Sequence, residues 1–94
     1  MQDFEEMTDG QVNARRNYFM GLWAGRVLGL QSNELNQYVS SVMAADFEEP
    51  GPFDVVRKIK KDFDKSGRSW DERRLLEQLK NFERKARSEL CVTD

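Results

Sequence analysis

Asp62, Asp64 and Ser66, in the stretch DFDKSGRSWDER (62–73), stand where a calcium-binding loop places its first three ligands, and Gly67 stands at the loop's sharp turn. Oxygen donors at alternate positions, closed by a bidentate glutamate, are what such a loop needs to wrap a hard cation. The pattern then breaks. Ser69 holds the position of an apolar residue, and Arg73, a cation, holds that of the closing glutamate. A turn that ends one helix, followed by the capped start of another, accounts for the same residues, so no metal is expected.

Positive charge is the second kind of chemistry. RKIKK (57–61) sets Arg57, Lys58, Lys60 and Lys61 around Ile59. On a helix this is a solvated basic face, favoured near the C-terminus by the macrodipole, or else a site for phosphate or an acidic partner. Arg15 and Arg16 precede Asn17 in the first half of another helix. The dipole gives cations no help there, so surface ion pairing or anion contact explains them better. What is missing narrows the rest. The chain has no histidine and one cysteine, Cys91. It therefore lacks the commonest general base, an internal disulfide and any Cys/His metal spacing, and its cysteine usage suits a reducing cytoplasm. With no nucleophile elbow either, the sequence predicts a protein that is not an enzyme.

GLWAGRVLG (21–29) carries Gly21, Gly25 and Gly29 four residues apart. The spacing and context fit neither a dinucleotide loop nor a P-loop. Arg26 and the shortness of the apolar run exclude a membrane-helix dimer face. A smooth ridge against which another helix lies close remains, with a small binding cleft over the glycines as the alternative.

Helices must position these groups. Ninety-four residues, 38% apolar and 34% charged, make one small domain with a modest core and a heavily solvated exterior. Residues 1–9 are acidic and without periodicity, an expected mobile tail, with Thr8 or Asp9 as a cap. Apolar residues at helical spacing predict four helices. They run over 11–28 (Val12, Phe19, Leu22, Trp23, Val27), 33–46 (Leu35, Tyr38, Val39, Val42, Met43), 52–65 (Phe53, Val56, Ile59, Phe63) and 70–90 (Leu75, Leu79, Phe82, Ala86, Leu90). Gly29 and Gly67 serve as terminators, Ser32 or Asn33 as a cap, Pro52 as a first-turn residue, and Ser69 with Glu72 as a capping box. EEPGP breaks the chain, Phe47 plugs a corner, Trp23 and Trp70 sit at the core edge, and Glu83 pairs with Arg87. The expected fold is all-α, a single-domain four-helix bundle over 10–94.

No run is long and apolar enough to span a membrane, and no leader pattern is present, so no direct membrane insertion is expected. Residues 1–54 carry three basic and nine acidic residues (−6), and residues 55–94 carry twelve and eight (+4). The basic excess is too small for a nucleic-acid binder, though that half could attract a compact anion or an acidic surface.

Two longer blocks carry a family resemblance. ARRNYFMGLWAGRVLGL (14–30) resembles ARRN-x-x-x-GLWAA-x-x-x-GL, and ADFEEPGPFDVVRKIKKDF (45–63) resembles ADFEE-x-G-x-x-DV-x-RKV-x-x-DF. These are the signatures of the zeta subunit, a small regulatory protein of bacterial F1Fo-ATP synthase. The resemblance covers residues 14–67 well and the fourth helix in pattern only. It implies a four-helix bundle that binds ADP or ATP as a regulatory ligand, without a cofactor, and docks on the F1 head. It also implies a cytoplasmic protein, peripheral to the membrane through F1 and monomeric when free. Among matching residues, Arg15, Arg16, Asn17, Arg57 and Lys58 suit phosphates, and Tyr18 or Trp23 could stack the base. Family members inhibit hydrolysis through a longer charged segment ahead of ARRN. Here MQDFEEMTDGQVN stands in its place, so a weak or non-inhibitory variant is expected. The alternative is a helical protein–protein interaction module that has lost the ATPase role. Where the family has two alanines after GLW, this chain has Ala24 and Gly25, which favours small-residue packing over a glycine loop.

Overall fold

Two glycines bring two of the helices to an end. The computed structural model describes residues 9–45 and 53–90, in four helices: α1 (Asp9–Val27), α2 (Ser32–Ala45), α3 (Phe53–Lys65) and α4 (Glu72–Leu90). Beyond α1, the Leu30 N–H donates to the Gly25 carbonyl at 2.9 Å and the Gly29 N–H to that of Arg26 at 3.0 Å, with Gly29 at φ 84°. Beyond α3 the same pair of bonds runs from Arg68 to Phe63 (2.9 Å) and from Gly67 to Asp64 (3.1 Å), with Gly67 at φ 83°. Both are Schellman turns, which satisfy carbonyls the helix leaves over. The expected acidic tail apart from Asp9, with the cap at Thr8, the corner at Phe47, Pro52 and Cys91, lie outside the described residues.

The starts differ more from expectation than the stops. The Ser69–Glu72 capping box is replaced by Asp71, whose Oδ1 accepts the Arg74 N–H at 2.8 Å. The helix begins late because Trp70 is drawn inward against Trp23, edge-on at 5.1 Å between ring centroids, and against Phe63 at 6.0 Å. In α2 the Gln31 carbonyl receives the Glu34 and Leu35 N–H groups. Ser32, an expected cap, therefore lies inside the first turn, at a positive φ of 53°.

The helices form a ring in which α1 packs on α2 and α4, and α3 closes the circle against the same two. Met20, Ala24, Val42, Val55, Val56, Ile59, Phe63, Leu75 and Leu79 form the shared core. Each large side chain among them contributes about 1.5–3 kcal/mol through burial. Phe53, expected inward, is half exposed, and Val55 is buried instead. Val55, Val56, Ile59 and Phe63 define the inner face of α3, and Phe53 stands roughly 100° round from its middle. Met20 and Ala24 fall outside the predicted stripe of α1 yet are fully buried, because a helix covered on two sides has no single apolar stripe.

The glycine ridge meets α2. A Cβ at Gly21 would lie 3.2 Å from the Val39 Cα and 3.4 Å from the Val42 Cβ, and one at Gly25 would overlap the Leu35 Cδ1. Gly29 belongs to the turn, not to the ridge, and nothing lies within 4 Å of where its Cβ would be. These two kinds of glycine separate experimentally. Gly21→Leu is expected to destabilise the fold by several kcal/mol by forcing α2 away. Gly29→Ala is expected to cost roughly 1–2 kcal/mol through its left-handed backbone alone. Urea unfolding of the two variants measures both.

Candidate functional site

Neighbouring residues on a helix point about 100° apart, and this separates the two arginines of α1. Arg15 points outward. Its side chain is 46% exposed, and its guanidinium lies 3.7 Å from Glu89 of α4. Arg16 enters the seam between α1 and α4, with its side chain 5% exposed. There its Nε donates to the Asn17 Oδ1 at 2.9 Å, and its Nη1 lies 3.8 Å from the Glu83 Oε1. Glu83 also holds Arg87 at 3.3 Å, the expected i,i+4 pair. Asn17 is itself buried. Arg16 and Asn17 thus form a polar joint between two helices, and a ligand reaching them would have to open that seam.

Arg15 reaches a different surface together with Tyr18, which is 44% exposed. Both line a depression of about 430 Å³ between α1 and α2, with Gln11, Ala14 and Met43. Trp23 lies elsewhere, in a groove of about 460 Å³ between α1 and α4, beside Phe19, Phe82, Arg26 and Lys85. Arg57 and Lys58 border a third and larger depression, about 780 Å³, along α3. The expected site residues therefore do not converge on one place.

The α3 depression mixes both signs of charge. Arg57 pairs with Asp54 at 3.2 Å, Lys58 with Asp62 at 3.0 Å and Lys60 with Asp64 at 3.2 Å. Asp62 and Asp64 lie inside the helix and face lysines, and no group of three or more metal-ligating side chains occurs among the described residues. Only the Lys60–Asp64 pair is largely exposed and of little weight for stability, since the Asp54 side chain is buried. The arrangement around Asp62 is more constrained. Its Oδ2 also accepts the Tyr38 hydroxyl at 2.9 Å, tying α2 to α3, and the Lys58 ammonium lies 5.2 Å from the centre of the Tyr38 ring.

Neither Arg26 nor Lys85 is legible in the sequence as a site residue. They stand on different helices, far apart in the chain, and no local pattern links them. Phe82, expected in the core, is only partly buried, at the edge of the same groove.

The Tyr38 phenol has its pKa pushed up from the ordinary 10.0, first by burial, then by its bond to Asp62 and that carboxylate's charge. Above about pH 10 the unfolded chain gives up this proton while the folded chain retains it, so stability falls as pH rises. Tyr38→Phe is expected to cost about 1 kcal/mol near neutrality and to remove that part of the alkaline decline. Denaturant unfolding of both forms between about pH 9 and pH 11 checks the difference.

No curated protein sequence matches the chain significantly. A family profile does, over residues 3–89, and its description is ATPase inhibitor subunit zeta. The match spans all four helices, including α4, which the two signature blocks leave uncovered. This chain belongs to the ATPase inhibitor subunit zeta family.

Proposed function

We propose that the chain is a non-catalytic regulator of an F-type ATP synthase that binds ADP or ATP and inhibits hydrolysis weakly or not at all. Family membership supports the ATPase-directed role. One observation carries the nucleotide reading: Arg15 and Tyr18 line the same depression, with Met43 beside them. A guanidinium presents paired donors to phosphate oxygens. An exposed ring with a thioether alongside offers an adaptable apolar face to adenine. The contact of Arg15 with Glu89 is long and exposed, so a phosphate competes for that guanidinium at small cost. Arg16 and Asn17 are closed in the α1–α4 seam and do not line this depression. Trp23, Arg57 and Lys58 stand at other surfaces and are not needed for this contact. The nucleotide acts as a regulatory ligand, with no cofactor.

Titrating the 15N-labelled chain with ADP tests this. Shifts are expected at Arg15, Tyr18 and Met43, with binding about tenfold weaker in Arg15→Ala or Tyr18→Ala. No change at millimolar ADP, or changes centred on Trp23 or on Arg57 and Lys58, would overturn the assignment. The regulatory part is read from ATP hydrolysis by purified F1 with increasing amounts of the chain. Partial inhibition or none is expected at saturation, and complete inhibition contradicts the weak-variant reading. If the chain fails to associate with F1 at all, the reading as an interaction module without an ATPase role replaces this one.

A further inference from the structure

The α1–α4 groove differs from the other depressions in its chemistry. Its floor is made by Phe19, Trp23 and Val27 of α1 and Phe82 of α4, all only partly buried. The Phe19 and Phe82 rings stand 6.0 Å apart. Two cations rim it, Arg26 from α1 and Lys85 from α4. Arg26 is exposed, and among the described residues it has no ion-pair partner. Lys85 is held 5.1 Å over the Phe19 ring and 3.4 Å from Glu89. Buried surface alone does not explain why so many large apolar side chains remain accessible side by side, since isolated exposed residues are usual and contiguous ones mark contact surfaces.

We infer that this groove docks an acidic amphipathic helix of a partner protein. The apolar floor follows α1 from Phe19 to Val27, roughly 12 Å or two turns. That is longer than a phosphate requires, and it matches the span over which a docked helix sets down successive apolar anchors. The charge points the same way. A positive residue on each bank, one of them without a partner among the described residues, complements carboxylates flanking the apolar stripe of the incoming helix and disfavours a basic one. The site is separate from the depression holding Arg15 and Tyr18, so the inference stands independently of nucleotide binding.

The probe is a synthetic helical peptide with leucines on one face and glutamates on both flanks, compared with the same peptide carrying lysines in place of the glutamates. Added to the 15N-labelled chain, the glutamate peptide is expected to shift Phe19, the Trp23 indole and Phe82, and the lysine peptide is expected not to. Because both cations are exposed, Arg26→Glu with Lys85→Glu leaves the core untouched. That double variant is expected to weaken the glutamate peptide about tenfold and to gain binding of the lysine peptide. Equal binding of both peptides, shifts centred elsewhere, or no exchange of preference in the double variant would overturn the inference. So would the same residues shifting with ADP, which would make the groove a nucleotide site, or with the chain's own concentration, which would make it a self-association face.

Discussion

The close approach of α2 to the glycine face of α1 is the constraint on which the other arrangements rest. At Gly21 the neighbouring backbone is near enough that even a methyl group would press on the Val39 Cα. Glycine costs about 1 kcal/mol against alanine within a helix. Here the cost is offset by contact between α1 and the valines of α2, since dispersion gains depend steeply on separation. With α2 seated on one side of α1, α4 takes another, and α3 closes the ring against both.

This placement divides α1 into faces with separate tasks. Its small residues receive α2. Arg16 and Asn17 enter the seam with α4, where a nearly buried guanidinium meets Glu83. Removing one partner of such a pair would leave a charge with poor solvation, which is strongly destabilising. Arg15 and Tyr18 remain outside, and Phe19 and Trp23 open onto the groove. A short stretch of one helix therefore supplies a structural joint and lines two distinct depressions.

A second tie links α2 to α3 through Tyr38, Asp62 and Lys58. It also takes the residues that imitate a calcium loop out of loop geometry. Asp62 and Asp64 are inside α3, and their carboxylates face lysines one turn earlier on the same helix. A calcium loop needs carboxylates converging from an irregular backbone, and a continuous helix cannot provide that convergence.

The sequence by itself determined the four helices, the turns at Gly29 and Gly67, the close packing of the small-residue ridge and the family. All of these follow from local spacing, local backbone preference or contiguous signature blocks. Tertiary structure alone decided which cations stay at the surface and which surfaces they share. Arg15 and Arg16 are neighbours in type and position, yet one is half exposed and the other buried, because the α1–α4 seam encloses only Arg16 while Arg15 meets Glu89 at its exposed rim. The late start of α4, capped by Asp71, and the outward turn of Phe53 depend in the same way on contacts with distant residues. Arg26, Phe82 and Lys85 meet only because α4 returns along α1, and a pairing of that range leaves no periodic trace in the chain.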